Sequence, residues 1–435
     1  MYREILEDII KRSKGTDTEC LLIANNRVLT RFSNSTIHQN TSLDDITLSI
    51  RVAIGNRIGK VTINQLKDDM IDTALEKALE LAKMTPPDPE YSGLPNPSPI
   101  LYREISPIMA SPKELAEKVI EFIKATRGLS SSGALEVNNI TLSVVNSNGI
   151  SLESTLSYVS LEAVVENEES SGYTYIMEKD INDVDFVLLS EIASDKARRG
   201  KNPVEIPPGE YTVILEPQAT GTIISFLGMM GFGAKQYQEG RSFLVGKLGQ
   251  KITSEKISIW DYPSHPKSIG FPFDFEGCQR KDVVLIDKGV AKNLVYDTKT
   301  ANKENKISTG NGLPQPNSSG PLPFNITLLP GETTLEEMIS STEKGILVTR
   351  FHYTNIVDSV QTIITGMTRD GTFLIEEGKI AEPIKNMRFT QSIINALSSV
   401  EMIGNKLYIA GESFIGSTLV PALKIGRFHF TGVTR

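Results

Sequence analysis

Histidine and cysteine, the side chains that most often bind zinc in proteins, are scarce in this sequence. The chain has 435 residues, and only four are histidines and two are cysteines. The histidines are His38, His265, His352 and His429. No two of them are close enough to share a helix face, so a local His-Glu-x-x-His zinc motif is excluded. A metal site assembled from residues distant in sequence stays open.

Several short patterns resemble catalytic or nucleotide-binding motifs, but their spacing does not fit. The glycines in 228–233 match neither the dinucleotide fingerprint nor the P-loop, and they favour a helix end with close backbone packing. In 411–416 the second glycine falls one residue too late for a nucleophile elbow. Glu376 and Glu377 are neighbours in a predicted turn, where adjacent side chains point apart. The residues alone therefore indicate no catalytic constellation.

One segment has a composition that is typical of a ligand-contacting loop. Residues 307–321 are rich in glycine, serine and proline and lie among predicted strands. Such segments, when ordered, line clefts or bind extended partners. A flexible surface loop explains the same composition, and both interpretations stay open at this point.

Composition and charge limit the classes of protein that the chain can belong to. Hydrophobic residues make up 39% and charged residues 23%, which is typical of a soluble globular protein. The net charge of −8 argues against a protein that binds the phosphate backbone, so we expect no nucleic-acid partner. The length predicts two or three domains.

The cysteines and the N-terminus predict the compartment. Cys20 and Cys278 are far apart in sequence, and we expect two buried free thiols rather than a disulfide. Residues 1–14 have apolar positions at helical spacing among charges, which is typical of an amphipathic helix and not of a secretory signal. No apolar stretch is long enough to cross a bilayer. We therefore expect a cytoplasmic protein without membrane contact.

The elements of the N-terminal part predict a sheet with helices. After the first helix come short β-branched runs, with a hairpin turn predicted at Asn25-Asn26. A helix capped by Asn64 ends before the proline-rich connection at 85–99. Ser111 begins a second helix with a capping box.

Alternating residues over 134–175 predict a hairpin with its turn at Asn148-Gly149, and a third helix covers 184–198. Hairpin-connected strands with helices indicate an α/β sandwich with an antiparallel or mixed sheet. This sandwich is predicted to form residues 1–200.

Strands and turns dominate the C-terminal part, residues 201–435. Helices are predicted only near 218–231 and 387–398, and turns at Arg369-Asp370-Gly371 and Glu377-Gly378. We expect a β-rich, barrel-like domain after the N-terminal sandwich. The fold class is therefore α+β, with two domains, 1–200 and 201–435.

The order of these pieces resembles the TldD/PmbA family of peptidases, once called modulators of DNA gyrase. The resemblance covers nearly the whole chain and is carried by the following runs: Asp45–Val52, Gly55–Gly59, Asp88-Pro89, Ser242–Gly249, Pro272–Gly277, Asp297–Ala301, Ser308–Asn311, Thr365-Gly366, Gly371, Ile375-Glu376, Gly378–Ile380 and Pro383. Each run is common by itself, but their order and spacing are specific to the family.

This resemblance implies an N-terminal α/β domain, a β-rich C-terminal domain, and a dimer with a protected central groove. It implies a cytosolic metallopeptidase that cleaves unfolded or small peptides. The catalytic, TldD-like member carries a zinc-binding His-Glu-x-x-x-His helix after the strand that opens the C-terminal domain, and a cysteine near its C-terminus.

The sequence departs from that catalytic pattern at both places. The corresponding helix reads Pro217–Ile224 without histidine or glutamate, and the cysteine position falls near Ile415-Gly416. The chain therefore resembles the PmbA/TldE-type member, with no catalytic residue, no metal ligand and no cofactor of its own.

Zinc is expected in a TldD-like partner. The chain is expected to pair with that partner or with itself and to bind an extended peptide, with Ser308, Thr309, Gly310 and Asn311 in the peptide groove. The alternatives are a peptide- or protein-binding regulatory protein that acts without a peptidase, and an enzyme that uses unrecognised residues such as His352 or Cys278.

Overall fold

The computed structural model describes residues 2–102, 105–410 and 416–433. Its α-helices are α1 Tyr2–Arg12, α2 Asp68–Met84, α3 Pro112–Ala125, α4 Phe186–Arg199, α5 Pro217–Gly231, α6 Ala234–Gln238, α7 Thr298–Lys303, α8 Leu335–Ser340 and α9 Ile393–Ser398. The strands of the N-terminal part are β1 Asp17–Ser33, β2 Thr36–Ile54, β3 Arg57–Ile63, β4 Ser130–Asn146, β5 Ser151–Glu166 and β6 Ser171–Glu178.

The C-terminal part contributes the remaining strands. They are β7 Gly209–Leu215, β8 Ile259–Asp261, β9 Val283–Asp287, β10 Val290–Ala291, β11 Ile326–Leu328, β12 Lys344–Asp358, β13 Ile363–Glu376, β14 Lys379–Pro383, β15 Met387–Ser392, β16 Val400–Ile403, β17 Tyr408–Ile409, β18 Leu419–Val420 and β19 Leu423–Val433. None of the helices in the described part of the chain is both long and apolar enough to cross a membrane.

The N-terminal strands form one antiparallel sheet in the order β3-β2-β1-β4-β5-β6. Alternate residues of a strand face opposite sides. Cys20 and Leu22 of β1 accordingly pack against α1 and α2. Leu21, between them, packs against apolar residues of the C-terminal half such as Phe271 and Phe273. The predicted sheet with helices is confirmed, and its other face contacts the C-terminal half.

The hairpin turn predicted at Asn25-Asn26 is wrong. β1 continues through both residues, because Asn25 and Asn26 pair with β2 on one side and with β4 on the other. The Asn26 side-chain amide also donates to Asp44 Oδ1 over 2.7 Å. The turn lies instead at Asn34 and Ser35, whose φ values of 48° and 57° are in the left-handed region.

The helices predicted for the N-terminal half are confirmed, but the N-cap predicted for α2 is wrong. Residue 67, not Asn64, precedes α2, and its side chain makes no capping bond. At α3 the Ser111 Oγ accepts from the Glu114 N–H, and the Glu114 carboxylate accepts from the Ser111 N–H, so the predicted capping box is present. The predicted helix at 184–198 is α4.

A closed five-stranded barrel forms the centre of the C-terminal half. Its strands follow the order β12-β7-β19-β15-β13, and β13 pairs again with β12, so the sheet closes on itself. Phenylalanines fill the interior, with ring centroids 4.5–5.7 Å apart among Phe351, Phe389 and Phe428. The barrel-like prediction is confirmed. A second, mixed sheet packs nearby in the order β10-β9-β8-β11-β18-β17.

Two local predictions in the barrel are wrong. Asp370 and Gly371 form a bulge inside β13, with φ values of 56° and 123°, and not a turn. The bulge is held because the Asp370 carboxylate accepts from Arg350 Nε over 2.6 Å. The helix predicted at 387–398 is a strand in its first half, since Met387 and Phe389 fill the barrel core, and only Ile393–Ser398 is helical.

The two halves of the chain meet along a continuous contact. The strands of the first sheet come from residues 17–178, and those of the other two sheets from residues 209–433. Lys299 of α7 forms ion pairs with Asp88 at 3.2 Å and Glu90 at 2.9 Å, which tie the irregular connection at 85–99 to the C-terminal half. A domain boundary at residue 200 stays a prediction.

Candidate functional site

Helix α5 follows the first barrel strand, β7, at the place where the sequence predicts that metal ligands are missing. Its polar side chains are amides and hydroxyls, and they are used within the fold. The Thr222 hydroxyl donates to the Gln218 carbonyl over 3.1 Å, and Ser225 Oγ lies 2.9 Å from Thr418 Oγ1. Ile223 and Leu227 are buried in the hydrophobic core that the barrel shares with the second sheet. Zinc prefers imidazole, thiolate and carboxylate donors, so the residues of α5 do not fit a zinc ion.

The second predicted departure lies at Ile415-Gly416. Ile415, and the sequence 411–415 that weakly resembles a nucleophile elbow, lie outside the described residues. Gly416 has a φ of 104°, and a Cβ atom there would overlap the Phe324 carbonyl oxygen. This position therefore accommodates no side chain that could serve as a metal ligand or nucleophile.

A compact group of metal-type donors does occur elsewhere, in a tight turn at Asp274, Glu276 and Cys278. Their ligand atoms lie within 4.8 Å of one another. Asp274 Oδ1 accepts from the backbone N–H groups of Glu276 at 3.0 Å and of Cys278 at 2.9 Å. Asp274 Oδ2 accepts from Gly312 N at 2.7 Å. Backbone donors therefore already use both oxygens of this carboxylate.

Burial dominates the electrostatics of this turn. It raises the pKa of Asp274 to about 7, against hydrogen bonds from the backbone that lower it. Burial, together with the charges of Asp274 and Asp297, raises the pKa of Glu276 to about 8. It also raises the pKa of the Cys278 thiol. The backbone N–H groups that hold the Asp274 carboxylate favour a structural turn. The expectation of no metal stays a prediction.

Both cysteines are free, as the sequence predicts. Cys20 is fully buried beneath α1 and α2, whereas Cys278 is partly exposed in this turn.

The four residues predicted for the peptide groove form one ordered turn. Ser308, Gly310 and Asn311 are buried, and Thr309 is partly exposed. The Asn311 side-chain amide donates to Asp261 Oδ2 over 2.6 Å and to the Leu322 carbonyl over 2.8 Å. A flexible loop therefore does not describe these four residues. Whether they act in peptide binding stays a prediction.

A cleft with a volume of about 770 Å³ lies between the two halves of the chain. One wall comes from the N-terminal half, namely from the segments 101–102 and 105–109, from Leu156 and Ser157 of β5, and from 179–182. The other wall comes from 263–264, 268–272, Gln279 and Arg280. Its lining is mostly apolar with polar groups at a few points, which is typical of a ligand-binding cleft.

Arg280 is the most deeply buried cation of that lining, since its side chain is 3% exposed. Its Nη2 donates to both oxygens of Asp261, at 2.9 and 3.1 Å. The guanidinium lies over the Phe324 ring, 4.6 Å from its centroid. Asp261 also accepts from Asn325 N at 2.7 Å and from the Asn311 amide. Asn311 of the predicted groove therefore connects to the cleft through Asp261 and Arg280.

Sequence reasoning missed this cleft and its arginine. Asp261 and Arg280 are 19 positions apart, and neither lies in a recognisable local motif. The sequence offers one signal for Arg280, namely its position shortly after the run Pro272–Gly277, which carries part of the family resemblance.

This architecture defines a class, an α+β protein with a helix-covered antiparallel sheet followed by a five-stranded barrel. Residues 208–432 match the family described as the PmbA/TldA metallopeptidase C-terminal domain, and the chain belongs to this PmbA/TldD family of metalloprotease-like proteins. The predicted family is thereby confirmed.

Individual relatives match over most of their length. The chain is 27% identical to an uncharacterised protein of Methanocaldococcus jannaschii over 320 residues, which are 70% of this chain and 73% of that one. It is 25% identical to the metalloprotease PmbA homolog of Haemophilus influenzae over 88% of this chain and 86% of the relative. The crystal structure of TldE from Thermococcus kodakarensis has the same fold, with a TM-score of 0.90, 23% identity, and 98% and 100% of the two chains covered.

Proposed function

We propose that the chain is the non-catalytic, PmbA/TldE-like subunit of a cytoplasmic TldD/PmbA-type metallopeptidase. It pairs with a TldD-like subunit, which holds the zinc, and helps to enclose an extended peptide. In the absence of that subunit it pairs with itself. The proposal assigns cleavage to the partner and peptide positioning to this chain.

One observation carries this proposal, namely the chemistry of α5. Catalytic zinc needs three protein ligands and an open position for water. In α5 the side chains are apolar, hydroxyl or amide groups, and Ile223 and Leu227 are buried in the hydrophobic core of the C-terminal half. Family membership together with a helix that cannot ligate zinc supports a subunit that depends on another chain for catalysis.

Metal analysis and a cleavage assay test the proposal. The purified chain, alone and mixed with a TldD-like subunit from the same organism, is assayed for zinc content and for hydrolysis of an unfolded protein and of small peptides. We expect less than stoichiometric zinc and no cleavage alone, co-elution of the two chains, and cleavage by the mixture. Stoichiometric zinc with cleavage by the isolated chain would refute the proposal.

A stand-alone peptide-binding regulatory protein is the second candidate. It is favoured by the lining of the cleft of about 770 Å³, which is mostly apolar with polar groups at a few points, as in ligand-binding sites. Peptide binding by the chain alone, with no association with a TldD-like subunit at micromolar concentrations, would favour this candidate over the first.

A further inference from the structure

The cleft between the two halves contains an arginine whose orientation is fixed in advance. Asp261 binds one end of the Arg280 guanidinium, and the Phe324 ring covers one face. Asp261 in turn accepts from Asn311 and from the Asn325 backbone. Because both partners are buried, the guanidinium has little freedom to turn away from the cleft. A donor held in this way loses little entropy when it binds a ligand.

Arg280 also has hydrogen-bonding capacity that the protein leaves unused. Its Nε–H is buried and has no acceptor. Buried N–H groups without an acceptor are rare in native proteins, and each one calls for an explanation. Arg280 lines the cleft, and a ligand acceptor that reaches Nε as the lining adjusts would supply the missing partner. Because Asp261 already uses Nη2, a ligand carboxylate would bond to Nε and not to the full planar fork, and a hydrogen bond between a guanidinium and a carboxylate is among the strong ones.

The rest of the lining indicates the character of the ligand. Leu156, Ile269 and Phe271 form apolar parts of the walls. At the rim, Tyr102 is 53% exposed and Met109 is 87% exposed, although both are large and apolar. Exposed apolar residues around a cleft are typical of an interaction site. The volume of about 770 Å³ suits a ligand of a few amino-acid residues rather than a folded domain.

The charges of the cleft favour a monoanion. Asp261 offsets part of the Arg280 charge from behind. Lys179 and Asp180, both exposed in the lining, carry opposite charges. The described lining residues therefore leave no excess positive charge for a phosphate dianion, whereas a carboxylate needs only the unused Arg280 donor.

We propose that Arg280 binds the C-terminal carboxylate of a short apolar peptide, whose side chains lie against the apolar walls of this cleft. The choice of a peptide as the ligand rests on the proposed function. Ser157, Ser268 and Gln279 lie in the same lining and add polar groups to its walls. The peptide then has a defined orientation in the cleft, because its C-terminal end is held at Arg280.

Peptide titrations on the unmodified protein test the inference first. A fluorescein-labelled apolar tetrapeptide is compared by anisotropy as the free acid, as the C-terminal amide, and as an amide whose last residue is glutamate. We expect the free acid to bind about ten- to a hundredfold more tightly than the plain amide, because it gains charged hydrogen bonds. Equally tight binding of the glutamate amide would overturn the assignment to the C-terminal carboxylate, because a side-chain carboxylate would then serve as well. Equal binding of the acid and the plain amide would overturn the inference.

Matched arginine variants then locate the effect. Arg280→Lys keeps a cation beside Asp261 but loses the Nε–H donor, and we expect it to lose most of the preference for the free acid. Arg350→Lys is the control, because Arg350 is also paired with a buried aspartate, Asp370, and also lies over an aromatic ring, that of Tyr173, yet it is not in the cleft. We expect this control to keep the preference. An unchanged preference in Arg280→Lys would overturn the assignment to Arg280.

The two proposals fail in different experiments. Cleavage of peptides by the isolated chain would refute the proposed function even if the preference for free acids persists. Association with a TldD-like subunit, together with equal binding of acid and amide, would refute only the inference about Arg280.

Discussion

The substitution Asp261→Asn tests whether the polar network behind the cleft holds the C-terminal half together. Asp261 is fully buried and accepts four hydrogen bonds, two from Arg280 Nη2 and one each from Asn325 N and the Asn311 amide. An asparagine has one accepting oxygen and one donating amide. Whichever way it is placed, its amide faces at least one of these donors, and the Arg280 cation loses its counter-ion.

The expected cost follows from these contacts. The side chains of the pair are 3% and 0% exposed, so solvent screens the interaction little. Removing one member of such a buried pair costs about 3–5 kcal/mol, because the other charge stays buried without compensation. For a cooperative unit of about 150–250 residues, each kcal/mol lowers the Tm by about 2–4 °C. We therefore expect a Tm that is roughly 6–20 °C lower.

The single tryptophan of the chain makes the assay specific. Trp260 is adjacent to Asp261 in β8, so urea unfolding followed by its fluorescence reports on this network. The control is Asp72→Asn, since Asp72 pairs with Arg12 on the surface, where such pairs contribute at most about 1 kcal/mol. Adding Arg280→Met to Asp261→Asn should recover much of the loss, because no charge is then buried. A free energy of unfolding for Asp261→Asn within about 1 kcal/mol of that of the unmodified chain would refute the reasoning, because that loss is no larger than the loss of a surface pair.

Two further predictions concern the acidic turn and a helix cap. Burial raises the pKa of Asp274 to about 7 and of Glu276 to about 8, so both carboxyls hold protons more tightly in the folded than in the unfolded chain. Their contribution to stability is therefore complete below about pH 4 and is lost as the pH rises through 7–8. Glu276→Gln should flatten the fall of the urea midpoint between pH 5 and 9, and an equally steep fall would contradict this pKa assignment. Ser111→Ala removes the α3 capping box and should lower the free energy of unfolding, measured by urea unfolding followed by circular dichroism, by about 1 kcal/mol. An unchanged urea midpoint would show that the cap is dispensable.

Local sequence signals predicted those elements whose structure is decided locally. The capping box at Ser111 involves residues three positions apart, and the Asn148-Gly149 turn joins adjacent strands. Asn25-Asn26 has the same turn chemistry, yet it lies in the middle of β1 because strands pair with it on both sides. Asp370-Gly371 likewise bends β13 rather than ending it, since Arg350 of the neighbouring strand holds Asp370. A turn signal therefore marks an unusual backbone conformation, while tertiary pairing decides whether the chain reverses there.

The candidate site depends on contacts that no local pattern encodes. Asn311 was selected from the composition of its segment and from the family resemblance, and its side chain reaches Asp261, 50 positions earlier. Arg280 joins the same network from a third segment. None of the three residues is unusual in its own surroundings in the sequence. Their proximity follows from the fold, so the sequence could predict the family and the barrel but not the network.

The buried positions of α5 are unsuited to zinc ligands. A helix that carries a catalytic zinc site must present imidazole and carboxylate groups to a space that water and substrate can reach. In this chain Ile223 and Leu227 lie instead in the hydrophobic core of the C-terminal half and are at most 1% exposed. Histidines or glutamates placed there would bury polar groups without partners, which is costly. Gln218, Thr222 and Phe226 form the partly exposed face of α5, and their amide, hydroxyl and phenyl groups are not zinc ligands either, so neither face of this helix offers a zinc site with its present residues.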